Sequence, residues 1–235
     1  MSGKQTIMLL EHHQNPRDDV VTNWIRSSEF EFQVVNPFLG DPLPKTPSDY
    51  HGCVVYGGEH NLTEISTYPF LTDELKWIEQ CIEHDLPLLG ICLGGQMIAQ
   101  CLGGDVDYHP DGLCEFGYYE VTPTAEGDDF MESSMHVVQA HYQGFTIPSS
   151  CVRLATGQNF RNQAFSYGEN TFGVQFHPEI HPGIFKRWQV ADWAMHDKKG
   201  AQPVPEQTEM MNRHGDKQTE WFESFLADLF LNRQP

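Results

Sequence analysis

The sequence has few basic residues and no long apolar run. Its 235 residues contain 14 Lys and Arg against 33 Asp and Glu, which gives a formal net charge of −19. Nucleic acids and anionic membrane surfaces both attract basic faces, so this charge argues against either as a partner. No apolar run reaches the roughly 18 residues of a membrane span, and the N-terminal apolar stretch is too short for a signal peptide. We therefore expect a cytoplasmic protein.

Motifs that bind metals and nucleotides are missing as well. The six cysteines include no C-x-x-C pair, which argues against a zinc ribbon or a thioredoxin-like redox site. The phosphate-binding patterns G-x-x-x-x-G-K-[ST] and G-x-G-x-x-G are also absent. His177 and His181 have i, i+4 spacing, but Pro178 and Pro182 disfavour the helix that would pair them on a metal. The sequence thus predicts no metal and no cofactor, and its cysteines are expected to be reduced thiols.

Short apolar runs alternate with amphipathic stretches in the first half of the chain. The predicted strands are residues 5–11, 31–38, 52–58 and 87–91. The predicted helices are one that carries Val21, Trp24 and Ile25 on one face, one over 71–85 and one over 93–104. This alternation predicts a three-layer α/β/α sandwich with a mostly parallel central sheet.

The second half of the chain is richer in strands. Strands are predicted over 114–124, 135–142, 152–157 and 162–177, the last being a hairpin that turns at 168–170. From Pro182 the pattern is helical again, with a break over 198–205 and a last helix from about Thr219. We interpret residues 1–235 as a single domain, with a core over about 5–182 and a helical extension over about 183–235.

One cysteine lies between glycines where a predicted strand meets a predicted helix. Residues 90–94, G-I-C-L-G, have the G-x-nucleophile-x-G form of a strand–turn–helix elbow. The start of a helix favours the thiolate of Cys92, which is the reactive form. The backbone N–H of Leu93 would face a developing oxyanion, with Gly57 or Gly58 as a second donor. The alternative is a small buried cysteine in a glycine-rich turn.

A second motif, G-V-Q-F-H-P-E-I at 173–180, follows an apolar strand. A cysteine nucleophile needs a base, and the base needs an acceptor that orients it. His177 and Glu179 are two residues apart, so in an extended chain their side chains face the same side. His177 can then reach Cys92 while Glu179 holds its other nitrogen. Alone, this motif is more often a polar loop, but together with the elbow it favours a catalytic triad.

With both motifs in hand, the chain resembles the class I (triad) glutamine amidotransferases. Cys92 within G-I-C-L-G-G-Q and the downstream F-H-P-E carry the resemblance, which covers nearly all of residues 5–182. In detail the chain is similar to the free-standing, GMP-synthase-like members. The resemblance implies a flavodoxin-like fold, with Cys92 as nucleophile, His177 as general base and acid, and Glu179 as the carboxylate that orients the histidine.

The resemblance also implies where the substrate binds. Gly58 and Leu93 match the backbone oxyanion positions, while Gly57 and Gln96 match positions beside the substrate. Residues 140–148 match a strand-end segment that contacts the amino-acid end of the substrate in relatives. Free-standing members usually carry His-Gly-Asp there, whereas this chain has His141, Tyr142 and Gln143, and Glu59 follows the glycine pair where proline is usual. Tyr142 is expected to narrow or reshape the pocket.

The reaction implied is hydrolysis of a γ-glutamyl amide through a thioester. Glutamine would give glutamate and ammonia, with the ammonia passed to an acceptor on a separate polypeptide, such as a synthase subunit. An alternative is a γ-glutamyl peptidase or hydrolase that acts on a larger γ-glutamyl compound. A third hypothesis is a catalytically silent regulatory or binding module, which the intact Cys92, His177 and Glu179 argue against.

The remaining histidines and cysteines receive simpler interpretations. His12 and His13 follow the first predicted strand and are expected to be solvated loop residues. The five cysteines outside the elbow are expected to be core or incidental residues; they are Cys53, Cys81, Cys101, Cys114 and Cys151.

Overall fold

A computed structural model describes residues 5–14 and 16–232 of the chain. The strands in these ranges are β1 (Thr6–Leu10), β2 (Glu31–Val35), β3 (Gly52–Val55), β4 (Leu88–Ile91), β5 (Val106–Tyr108), β6 (Glu115–Pro123), β7 (Met135–His141), β8 (Gln143–Phe145), β9 (Val152–Gly157), β10 (Ala164–Tyr167) and β11 (Thr171–Val174). The α-helices are α1 (Val20–Ser27), α2 (Pro69–Glu83), α3 (Leu93–Cys101), α4 (Pro182–Trp188) and α5 (Val204–Ala227).

Most of the described strands form one mixed sheet. Its nine strands have the order β2-β1-β3-β4-β11-β10-β9-β6-β7. Neighbours from β2 to β11 are parallel, and neighbours from β11 to β7 are antiparallel. The predicted α/β sandwich is therefore confirmed, including the hairpin of β10 and β11. The strand-rich second half of the chain forms the antiparallel end of the sheet.

Alternate residues of the central strands face two separate cores. Ile7 and Leu9 of β1 belong to a cluster that includes residues of α1 and α5. Met8 and Leu10 of the same strand belong to a second cluster, which includes residues of α2 and α3. Successive side chains of a strand point to opposite faces, so this division places helices on both faces of the sheet. The result is the predicted three-layer arrangement.

The order of the parallel strands determines where the two motifs meet. Strand β4 lies between β3 and β11, and Gly90 of β4 pairs with Val55 on one side and Gly173 on the other. Because parallel strands end at the same edge of a sheet, the segments that follow these three strands converge there. Cys92 follows β4, the glycine pair follows β3, and His177 follows β11 shortly after its last residue.

The C-terminal helix differs from the prediction. It begins at Val204 rather than near Thr219 and continues unbroken to Ala227. Its first half is polar, and Gly215 in its middle weakens the helical signal in the sequence. Gly215 is nevertheless required by packing, since a Cβ there would lie 2.5 Å from Cγ of Pro182. A π-helical turn, Asp228–Asn232, follows the helix.

A small second sheet was not predicted. Strands β5 and β8 form an antiparallel pair outside the main sheet. β7 ends at His141 and β8 begins at Gln143, so Tyr142 lies where the chain leaves one sheet for the other. Among the described residues, no helix combines the length and the apolar character needed to cross a membrane.

Candidate active site

Cys92 occupies the turn between β4 and α3, as the G-x-C-x-G pattern predicts. Its backbone has φ of 51° and ψ of −106°, and it lies directly before the first residue of the helix. A positive φ is unfavourable for a residue with a side chain and commonly marks a functional turn. Close approach explains the glycine at 94, since a Cβ there would lie 2.0 Å from the carbonyl oxygen of Val55. The elbow therefore packs tightly against β3 and leaves the Cys92 side chain at the strand ends.

His177 and Glu179 form a buried pair beside the cysteine. Nδ1 of His177 lies 2.7 Å from Oε1 of Glu179, and both side chains are almost fully buried. Burial alone would lower the pKa of His177, but the carboxylate of Glu179 and the sulfur of Cys92, which also hydrogen-bonds to the ring, outweigh it and raise the pKa to about 10. The imidazole therefore holds a proton at neutral pH, as a partner of a thiolate would.

The glycine pair after β3 lies against the same residues. A Cβ on Gly57 would lie 2.8 Å from Cε1 of His177 and 3.3 Å from Cβ of Cys92. A Cβ on Gly58 would lie 3.2 Å from Cδ2 of Leu93. Leu93 is the first residue of α3, so its N–H has no acceptor within the helix. The two backbone positions expected at an oxyanion hole, Gly58 and Leu93, are thus close to each other.

The other predicted residues line a single cavity with the cysteine. The cavity has a volume of about 590 Å³. Apart from Gly57, every predicted site residue lines it: Gly58, Cys92, Leu93, Gln96, His141, Tyr142, Gln143, His177 and Glu179.

Three of the predicted substrate residues already bind protein groups through their side chains. Nε2 of Gln143 donates to Oγ1 of Thr63 across 2.8 Å. Nε2 of Gln96 donates to the carbonyl of Gln143 and to the side chain of Gln175. His141 has Nδ1 2.9 Å from the carbonyl oxygen of Gln143 and Nε2 3.1 Å from a carboxylate oxygen of Glu115. These side chains form hydrogen bonds within the cavity wall, whereas Tyr142 is 39% exposed and also lines the cavity.

Gln175 is a site residue that was not predicted. Its side chain is fully buried, and its Nε2 donates to Sγ of Cys92 across 3.7 Å. Gln175 precedes His177 by two residues, so the same alternation that relates His177 to Glu179 extends back to it. That spacing was available in the sequence as a signal.

His12 and His13 are not the solvated loop residues that we predicted. His12 is buried, with Nδ1 3.0 Å from the carbonyl oxygen of Tyr56 and Nε2 2.9 Å from a carboxylate oxygen of Glu74. A carbonyl oxygen only accepts, so Nδ1 donates to it, and Nε2 is the ring nitrogen that faces Glu74. His13 lines the cavity, and burial, aided by neighbouring histidines, lowers its pKa to about 4.

The simpler interpretation of the other cysteines agrees with the structure. Cys53, Cys81 and Cys114 are buried, Cys101 and Cys151 are partly buried, and all five thiols are free. Across residues 5–14 and 16–232, no group of three or more His, Cys, Asp or Glu is arranged to hold a metal ion.

The fold and the site define a class of protein. The family model of class-I glutamine amidotransferases matches residues 20–196, which is most of the chain, and the chain belongs to that family. A glutamine amidotransferase from Thermotoga maritima has a similar structure, with a TM-score of 0.85 and 28% identity over 96% of this chain and 98% of that one. A glutamine amidotransferase from Methylobacillus flagellatus shares the fold at a TM-score of 0.83, with 22% identity over 99% of this chain and 96% of that one.

Sequence relatives include both separate subunits and larger enzymes. A glutamine-hydrolysing GMP synthase subunit from Saccharolobus solfataricus is 34% identical over 54% of this chain and 67% of its own length. A glutamine amidotransferase-like protein of Acanthamoeba polyphaga mimivirus is 27% identical over 67% of this chain and 71% of that protein. The GMP synthase of Flavobacterium psychrophilum is 28% identical over 63% of this chain, but the match spans only 28% of that enzyme.

Proposed function

We propose that this protein hydrolyses γ-glutamyl amides, glutamine among them, with Cys92 as nucleophile, His177 as acid and base, and Glu179 as the orienting carboxylate. The observation that carries the proposal is the position of His177, which lies between the Glu179 carboxylate and the Cys92 sulfur in the wall of a cavity. Membership of the class-I family, whose members hydrolyse glutamine, supports the same reaction.

The first half of the reaction forms a thioester. The Cys92 thiolate attacks the γ-carbonyl carbon, and the backbone N–H groups of Leu93 and Gly58 stabilise the negative charge that develops on the oxygen. The proton on His177 passes to the amide nitrogen, the C–N bond breaks, and the amine or ammonia leaves. The Gln175 amide, which donates to the sulfur, stabilises the thiolate before attack.

The second half regenerates the enzyme. A water molecule gives a proton to the now neutral His177 and attacks the thioester carbonyl. The C–S bond breaks, glutamate leaves, and the thiolate and imidazolium form again. Glu179 keeps Nδ1 of His177 occupied throughout, so that the proton moves only through the nitrogen that faces the cysteine.

The test is a measurement of glutamate released from glutamine by the wild type and by Cys92→Ala. We expect Cys92→Ala to lower kcat by about 10³-fold or more, because no nucleophile remains. The matched control is Cys151→Ala, a partly buried free cysteine outside the cavity, which should keep wild-type kcat.

Two results would contradict the proposal. One is release of glutamate by Cys92→Ala at the wild-type rate. The other is a wild type that hydrolyses no γ-glutamyl amide and whose Cys92 is not alkylated by an electrophilic glutamine analogue. The second result would favour the silent module considered from the sequence.

The destination of the nitrogen separates two candidate functions. An amidotransferase passes ammonia to an acceptor on a separate polypeptide, and the relatives that are separate GMP synthase subunits support this possibility. Only unsubstituted glutamine releases ammonia, so an amidotransferase should have its highest kcat/KM with glutamine. The specific observation that favours a larger γ-glutamyl substrate is the cavity, whose 590 Å³ falls in the range of about 300–1,000 Å³ typical of drug-sized ligands.

A further inference from the structure

One wall of the active-site cavity is aromatic and lies outside the two sequence motifs. Trp188, at the end of α4, and Trp193, shortly after it, both line the cavity. Ala191 and Met195 of the same segment line it too. The two sequence motifs end at residue 180. No signal in the sequence therefore indicated that residues 188–195 lie beside the proposed catalytic residues.

The aromatic wall begins at the catalytic histidine. The ring of Trp188 meets the ring of His177 edge to face, with centroids 5.1 Å apart. Trp193 packs on Trp188 at 5.3 Å and on Phe116 at 6.0 Å, so two contacts hold it in place. Even so, 53% of Trp193 is exposed. A fixed aromatic ring with open surface at a cavity is typical of a binding site.

Chemistry decides which part of a substrate meets this wall. His177 gives its proton to the leaving nitrogen, so that nitrogen lies next to His177 during the reaction. A substituent on the nitrogen extends away from the reacting carbon on the His177 side, where Trp188 and then Trp193 lie. The glutamyl part would occupy the more polar side, which is lined by Gln96 and Gln143.

The charges of the residues that line the cavity indicate whether the substituent on the leaving nitrogen is charged or neutral. Two arginines line the cavity, and each forms an ion pair. Arg17 pairs with Glu11, and Arg187 pairs with Asp18. Burial lowers the pKa of His13, so this lining histidine is neutral at pH 7. A γ-glutamyl dipeptide would bring a second carboxylate to the leaving side, where no unpaired arginine lines the wall. An uncharged substituent suits the wall better.

We propose that Trp188 and Trp193 form a subsite for the leaving group, and that the substrate is a γ-glutamyl amide whose nitrogen carries an aromatic or bulky apolar group. The inference rests on the proposed γ-glutamyl hydrolysis and specifies its leaving group. The amide C–N bond breaks, the His177 proton goes to nitrogen, and the free amine leaves. Water then cleaves the thioester to glutamate, so no oxidant or further reactant is needed.

The experiment compares two amides of primary alkylamines. γ-Glutamylbenzylamide and γ-glutamylmethylamide differ in one phenyl ring, and glutamate release gives kcat/KM for each. We expect the benzylamide to have a kcat/KM at least about tenfold higher, since a buried ring gains binding that a methyl group does not. Trp193→Ala should lower kcat/KM for the benzylamide about tenfold and for glutamine less than about twofold. Trp193→Phe should retain most of the preference.

The controls are exposed residues that do not line the cavity. Tyr108→Ala removes an aromatic ring that is 48% exposed, and Val190→Ala changes the same segment at a residue that is 82% exposed. Both variants should keep the wild-type preference. Circular dichroism and Tm show whether each variant is folded. The comparison of benzylamide with methylamide uses the wild type alone, so it does not depend on the folding of any variant.

The outcomes separate this inference from the proposed function. Equal kcat/KM for the two amides, or an equal fall for benzylamide and glutamine in Trp193→Ala, would overturn the aromatic subsite while hydrolysis of glutamine stands. Hydrolysis of γ-glutamyl dipeptides at a higher kcat/KM than the benzylamide would also overturn it. If no γ-glutamyl amide is cleaved and Cys92 is unreactive, both proposals fail together.

Discussion

At the residue scale, three buried histidines among the described residues pair with carboxylates, and they differ in the partner of the second ring nitrogen. His12 and His141 each place one ring nitrogen on a carboxylate and the other on a backbone carbonyl. Both ring nitrogens of each residue are therefore occupied by protein groups. His177 has one nitrogen on Glu179 and hydrogen-bonds to Cys92, a group that can exchange a proton. The partner of the second nitrogen therefore separates the histidine that we propose as acid and base from the other two.

The pKa of His177 leads to a prediction for Glu179→Gln. Removing the carboxylate removes a charge that raises the pKa of His177 from its usual value, while burial continues to lower it. The proton needed by the leaving nitrogen is then lost at a lower pH than in the wild type. We expect kcat at pH 7 to fall by about 10²-fold, and the alkaline limb of the pH–kcat profile to move to lower pH.

The matched control for this variant is Glu209→Gln, which removes an exposed carboxylate paired with Arg213. Its pH–kcat profile should coincide with that of the wild type. Glu179→Asp keeps the charge and should keep the alkaline limb near its wild-type position even if kcat falls. An alkaline limb that stays in place in Glu179→Gln would show that Glu179 does not support the charge of His177.

At the element scale, α5 shows how packing can reverse an intrinsic preference. Gly215 lies in the interior of this helix, where alanine would usually be favoured by about 1 kcal/mol. A Cβ at this position would lie 2.5 Å from Cγ of Pro182 and 3.2 Å from the hydroxyl oxygen of Tyr118. The glycine lets α5 approach the start of α4, which leads to the tryptophan wall of the cavity. The helix therefore tolerates a poor helix former because close contact requires it.

This contact predicts the sign of the change in Gly215→Ala. The clash with the proline ring outweighs the gain in helix propensity, so we expect the free energy of unfolding to fall by about 1 kcal/mol or more. Asn212→Ala is the control, because Asn212 is an exposed interior residue of the same helix and should gain about 0.5 kcal/mol. Urea unfolding measures both. A more stable Gly215→Ala protein would contradict the packing argument.

At the scale of the whole molecule, the dominant property is charge. With 33 acidic and 14 basic residues, the folded chain carries a formal net charge of −19 at pH 7. Repulsion among like charges destabilises a compact state, and dissolved salt screens it. Three of the acidic residues, Glu74, Glu115 and Glu179, are buried beside histidines rather than exposed on this surface.

Screening predicts how stability responds to salt. Raising sodium chloride from about 10 mM to about 150 mM at pH 7 should raise Tm by a few degrees, because the Debye length falls from about 30 Å to about 8 Å. The control is the same titration near pH 4.8, the isoelectric point of the sequence, where the effect should nearly vanish. Equal shifts in Tm at both pH values would mean that salt acts through something other than net charge.

Much of the sheet could be predicted from the sequence because its strands are short, apolar and separated by clear turns. The strands around Leu9, Val54 and Leu89 are buried on both faces, and such strands have an unmistakable composition. The start of α5 could not be predicted, since its polar first half and Gly215 carry no apolar periodicity. The environment of His12 was also hidden, because its partner Glu74 is distant in the chain and looks like an exposed helical carboxylate.

The sequence by itself determined the family and the residues proposed to carry the reaction. The glycines around Cys92 and the spacing of His177 and Glu179 are local patterns, and local patterns need no knowledge of distant contacts. Only the tertiary structure decided what surrounds them. In the folded chain, the Gln175 amide donates to the Cys92 sulfur, and both ring nitrogens of His141 contact protein groups in the cavity wall. Trp193 lines the same cavity. These three contacts depend on strand order and helix packing, because both bring together residues that are far apart in the chain.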